Sequence, residues 1–133
     1  MTLQEREARA CAIIDSMTEE LRDISLYLHD NPELGLNEHK AVKVINQFLE
    51  THNFTSQVGL TDLTELQTAL RGDYNGTAQH KIAFLGEYDA LPELGHGCGH
   101  NLIAIMSMGA AIAFSQTACN TWGTTFFGCP AEE

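Results

Sequence analysis

Apolar residues at Ala10, Ile13, Ile14, Met17, Leu21, Ile24 and Leu28 recur at steps of three and four, the spacing of one helix face. Thr2 with Glu5 spells a capping box at the start, and Ser16 with Glu19 spells another, so a helix interrupted near residue 16 is predicted. It stops at Asn31-Pro32, because the residue before a proline is driven out of the helical region. After the turn PELG, a second helix is predicted from an N-cap at Asn37, with Ala41, Val44, Ile45, Phe48 and Leu49 on its apolar face. The period then shortens. Phe54 to Val58 predicts a short strand. Leu66, Thr68 and Leu70 alternate with Gln67, Ala69 and Arg71, which predicts a half-buried strand. Asn75-Gly76 marks a turn, in a loop longer than a minimal hairpin. Ile82 to Leu85 reads as a strand buried on both faces. A helix from about Leu102 to Gln116 and a strand from Thr124 to Phe127 complete the pattern.

Strand, helix and buried strand in that order form a βαβ unit, so the class is α/β and the two strands should run parallel. Such sheets bind ligands beyond the carboxyl ends of their strands. Those ends carry Glu87 to Asp89 and Pro130 to Glu133, so two polar clusters are expected at one edge of the sheet.

Between the last helix and the strand before it lies 95-GHGCGHN-101. His96, Cys98 and His100 are borderline-soft ligands separated by single glycines, which lets the backbone fold tightly round an ion. A thiolate with imidazoles suits zinc, and less selectively cobalt, nickel or manganese. A buried cysteine beside two incidental histidines is the bland alternative, which three such residues in five positions outweigh. The loop is no dinucleotide fingerprint: the third glycine would fall at His100, and Asn120 stands where a ribose-binding acid belongs. Glu132 and Glu133 are adjacent. In extended chain they point to opposite sides, so one could hold a metal while the other activates water, although two glutamates also read as a solvated tail. Glu87 and Asp89 could ligate a metal or orient a ligating histidine, or merely solubilise a strand end. Cys11 fits a helix core face, His29, His39, His52 and His80 read as surface, and Trp122 as packing. Cys119 and Cys129 could join Cys98 in a structural zinc site, but no C-x-x-C pair supports that.

Seven Lys and Arg against eighteen acids give a formal charge of −11. That leaves no basic face for phosphates, so nucleic acid and anionic membranes are excluded as partners. The apolar run Leu102 to Phe114 is too short to span a bilayer. The acidic start lacks the basic and then apolar regions of a secretory leader, so a cytoplasmic location with reduced thiols is expected.

The series PELG, FLGEYDALPELGHGCGHN and GCPAEE, in that order from about Leu26 to Glu133, resembles the aminoacylase and carboxypeptidase-type dinuclear metallopeptidases (peptidase family M-twenty). The spellings EYDALP and GHGCGHN are most similar to the amidohydrolase branch that holds aminobenzoyl-glutamate hydrolase and β-alanyl-lysine dipeptidase. The resemblance implies a three-layer αβα fold of the phosphorylase/hydrolase-like zinc-peptidase type, with a mixed, mainly parallel sheet. It implies two divalent cations, zinc foremost, with manganese, cobalt or nickel as alternatives. Cys98 would be the thiolate shared by both, with His100 and Glu133 as further ligands. Glu132 would be the general base and Asp89 an acid supporting the metal site from behind. His96 and Glu87 would stand behind the ligands, and Asn101 replaces an Asp of related branches. The implied reaction is hydrolysis of an amide in a dipeptide, aminoacyl amide or N-acyl amino acid. Residues 1–133 would form the N-terminal portion of the catalytic domain, without the dimerisation (lid) domain or the later ligands. At most partial metal occupancy and a homo-oligomer are then expected. The alternatives are a noncatalytic remnant and a metal-binding module without turnover.

Overall fold

The computed structural model describes residues 1–59 and 66–129. Helices α1 (Leu3–Ser16), α2 (Thr18–Asp30) and α3 (His39–Thr51) are followed by strands β1 (Thr55–Val58), β2 (Leu70–Tyr74) and β3 (His80–Glu87), helix α4 (His100–Thr117) and strand β4 (Trp122–Cys129). The capping box at α1 is formed: the Glu5 amide donates to the Thr2 hydroxyl at 3.2 Å, and the Thr2 amide donates to the Glu5 carboxylate at 2.7 Å. The break near residue 16 is also present, but the second capping box is not. Ser16 still belongs to α1, so its hydroxyl donates back to the Ile13 carbonyl at 2.6 Å. The buried Met17 makes the corner instead.

Helix α3 starts one residue later than an N-cap at Asn37 would place it. The Glu33 carboxylate of PELG reaches forward to accept from the amides of Lys40 and Ala41 at 2.9 and 3.0 Å, which caps the helix from outside it. The N-cap position itself holds Glu38, whose side chain is turned into the core.

The sheet order is β1-β2-β4-β3. The α/β class and mixed sheet agree with expectation, and β3 and β4 are parallel, as the βαβ pattern requires. The other two neighbour pairs are antiparallel, so the parallel part of the described sheet is this single pair. The loop at Asn75-Gly76 does not join neighbours, because β4 lies between β2 and β3. The strand expected from Leu66 begins only at Leu70; residues 66–69 turn, and Thr68 and Ala69 are buried there. Strand β3 is not buried on both faces. It is an edge strand, and Leu85 is 61% exposed.

One face of the sheet is packed. Phe84 and Phe126 pair in register, as do Phe126 and Gly72, and α3 and α4 cover them. The fit is close: a Cβ on Gly72 would lie 3.2 Å from Leu49, and one on Gly86 would lie 3.1 Å from the Phe126 ring. Ile45, Leu49, Met108, Ile112 and Phe126 have no exposed surface, and each such side chain contributes about 1.5–3 kcal/mol of burial energy. The opposite face leaves Lys81, Ala83 and Leu85 exposed, so the third layer is not formed by the described residues. Helix α1 buries no residue fully, and Cys11 is exposed on it rather than core-facing. No helix among the described residues is long and apolar enough to cross a membrane.

Candidate metal centre

Parallel pairing puts Glu87, the last residue of β3, opposite Cys129, the last of β4, so both strands release the chain at one edge. The next residue, Tyr88, turns into the core and Asp89 follows it, at 1% and 2% exposure. The Ala90 amide donates to the Glu33 carbonyl at 2.7 Å, which fixes this segment against PELG. A tight loop then runs to α4. Leu91 and Gly95 bond reciprocally, and a Cβ on Gly97 would lie 2.6 Å from Leu94. Gly99 sits at φ +82, a conformation that glycine adopts without a Cβ penalty, and its carbonyl accepts from the Leu102 and Ile103 amides in the first turn of α4. That turn delivers His100 as the first residue of α4, with its side chain inward.

The ring of His100 lies between two acids. Its Nδ1 is 2.6 Å from Asp89 Oδ1 and its Nε2 is 3.4 Å from Glu87 Oε2. A carboxylate that accepts from the ring puts a proton on Nδ1 and leaves the Nε2 edge toward Glu87. The Nε2 edge facing the Glu87 carboxylate at 3.4 Å suits a second ring proton or a cation held by both groups. That is the first observation fitting a metal to these residues. The second is His96, whose Nδ1 is buried with no hydrogen-bond partner among the described residues. Burial pushes the His96 pKa below the ordinary imidazole value; the nearby rings of His100 and His29 add to this, and a hydrogen bond to the Leu28 backbone opposes it. A neutral, orphaned imidazole nitrogen is a ligand or a water acceptor.

Of the residues singled out in the sequence, Glu87, Asp89 and His100 are brought together. Cys98 is exposed in the same loop, two residues before His100. Glu132 and Glu133 lie outside the described residues. Among the described residues, no three His, Cys, Asp or Glu side chains form a metal cage. The structural zinc alternative fails on geometry, because Cys119 precedes β4 and Cys129 closes it, at opposite ends of an eight-residue strand. Asn101 is turned to α2, donating to the Ser25 hydroxyl at 3.1 Å. Sequence reasoning missed Glu38, Thr68 and Tyr88, all buried beneath this site. Tyr88 lies inside the motif, and the other two carry no signal, since a Glu beside a helix start reads as solvated.

No protein-family model matches the chain. Over 136 residues it is 35% identical to Xaa-Arg dipeptidase of Mus musculus, a match covering 94% of this chain and 32% of the relative. It is 31% identical over 140 residues to a p-aminobenzoyl-glutamate hydrolase component of Escherichia coli K12, covering 90% and 28%. The chain thus spans about a third of the length of these curated relatives. A solved Bacillus subtilis protein, described as a dinuclear metal binding peptidase of family M-twenty, superposes with a TM-score of 0.73 at 24% identity, covering 88% of this chain and 36% of that one. Shared sequence along nearly the whole chain and a shared fold place it in the metallopeptidase family of Xaa-Arg dipeptidase and p-aminobenzoyl-glutamate hydrolase, family M-twenty.

Proposed function

We propose that this chain carries part of the catalytic centre of a metal-dependent hydrolase that cleaves an amide bond in a dipeptide or N-acyl amino acid. The observation that carries the reading is the His100 ring, held by buried Asp89 at 2.6 Å with Nε2 toward Glu87, one residue beyond a glycine turn that also presents Cys98. Cys98, His100 and Glu133 would hold divalent metal, with Glu87 and His96 beside them. When bound, the metal supplies Lewis acidity toward a carbonyl and lowers the pKa of water.

The remaining roles fall to the protein's own groups. Asp89 keeps the proton on His100 Nδ1, which fixes the ring and leaves Nε2 as donor to the metal. Glu132 is the base that takes a proton from the attacking water and returns it to the leaving nitrogen. A formal charge of −11 favours the approach of cationic substrates, which suits a dipeptide ending in arginine better than an acidic one.

Cobalt titration of the chain tests this. A thiolate-to-cobalt charge-transfer band that Cys98→Ala abolishes supports the reading, as does release of arginine from an Xaa-Arg dipeptide that Glu132→Ala stops. Cobalt binding with no turnover in a chain extended to the length of its relatives would reduce the protein to a metal-binding module. No binding at all would overturn the site.

A further inference from the structure

Glu38 has no exposed surface, and among the described residues it forms no ion pair. A carboxylate in that position is costly unless its oxygens are hydrogen-bonded. They are: the Leu36 amide donates to Oε1 at 3.0 Å, and the Thr68 hydroxyl donates to Oε2. Thr68 is itself fully buried, and its carbonyl accepts from the Tyr88 hydroxyl. The Tyr88 ring is wedged against β4, where a Cβ on Gly128 would lie 2.7 Å from its edge. Tyr88 is bonded covalently to Asp89, and beyond Asp89 the Ala90 amide is tied to the Glu33 carbonyl. The backbone on both sides of Asp89 is therefore anchored to the segment from Glu33 to Glu38, through Thr68 on one side and directly on the other.

We propose that Glu38 is a positioning residue: with Thr68 and Tyr88 it forms a buried hydrogen-bonded strut that fixes the Asp89 carboxylate against His100. The strut links three segments distant in sequence to one carboxylate, and its last member is adjacent to the group it sets. Charge coupling agrees with the geometry. Burial raises the pKa of Glu38, the bonds from Thr68 and Leu36 oppose that, and the field of Asp89 raises it further, so the two acids sense each other. The consequence for metal binding rests on the function proposed above; the positioning itself does not.

The test uses Tyr88→Phe, which removes one oxygen and keeps the ring, with Thr68→Val and Glu38→Gln beside it. Ring-nitrogen NMR reads the tautomer of His100, thermal melting reads the fold, and titration with zinc chloride reads the metal site. Tyr88→Phe and Thr68→Val should keep a cooperative melt, turn His100 from one tautomer to a mixture, and weaken zinc binding about tenfold. Glu38→Gln, which can still bond both partners, should fall between those variants and wild type, and Thr68→Ser should restore the wild-type spectrum. Lowered melting with unchanged His100 nitrogen shifts and unchanged zinc affinity would make the network a folding element and overturn the proposal. If wild type binds no zinc, the functional reading fails, and the His100 spectra of the variants still decide whether the strut exists. Should Thr68→Val not fold, Tyr88→Phe alone carries the decision.

Discussion

The βαβ unit has two ends with contrasting contents. At the amino ends of β3 and β4, Asn53, Tyr74, Asn75, Cys119, Asn120 and Trp122 border a cavity of about 400 Å³. Its polar groups are neutral, and Asn75 already donates to the carbonyls of Asn120 and Trp122 at 3.0 and 3.1 Å. The carboxyl end instead holds Asp89 and His100, nearly solvent-free and 2.6 Å apart, with Glu87 on the other side of the ring. Volume alone does not make a site. Parallel strands release their loops at the carboxyl end, where a short glycine turn can aim side chains at one point. At the amino end the Asn75 side chain is instead used to close the chain onto Asn120 and Trp122.

The largest expected effect removes the buried pair. Asp89→Ala strands a buried imidazole and should destabilise the fold by about 3 kcal/mol, measured by urea denaturation. Asn75→Ala, at the other end, loses two bonds from an exposed side chain and should cost about 1 kcal/mol. Equal losses would erase the contrast between the ends. A comparison of thiols sharpens it further. Cys98→Ala should weaken cobalt binding at least tenfold by loss of a ligand, whereas Cys119→Ala should leave it within about twofold. Cys119 is exposed, and hydrogen bonding with Thr121 lowers its pKa, so it is a reactive thiol at the amino end, away from the proposed site. Matching cobalt affinities in the two variants would move the site away from the carboxyl end.

Much of this is legible in the chain. Helical spacing locates α2 and the apolar face of α3, and the order strand, helix, strand gives the parallel β3–β4 pair. The motif spacing brings Glu87, Asp89 and His100 to one edge. What escapes is tertiary. Ile82 to Leu85 looks doubly buried because an apolar run reports hydrophobicity, not position in the sheet, and β3 lies at an edge. The start of α3 cannot be placed locally because its cap comes from Glu33, seven residues before Lys40, where no local rule looks. Thr68 reads as a strand residue on alternation alone, and its real partners, Glu38 and Tyr88, lie 30 and 20 residues away. Long-range hydrogen bonds leave no periodic trace.

The smallest expected effect concerns pH and belongs to the carboxyl end alone. Burial holds the His96 imidazole below its ordinary pKa, so the folded protein favours the neutral ring. Above about pH 6.5 the ring is neutral in both folded and unfolded chains, and its contribution is fully present. As pH falls below that value the unfolded chain takes up a proton first, and stability is lost until the folded pKa is passed. Urea midpoints measured from about pH 7.5 to about pH 5 should therefore fall for wild type and fall less for His96→Asn, which cannot take up that proton. Bound zinc should steepen the wild-type slope if the orphaned Nδ1 donates to the metal, because metal and proton would then compete for one lone pair. Slopes that coincide for wild type and variant, with and without zinc, would show that the lone pair faces neither and that His96 serves only to shape the loop.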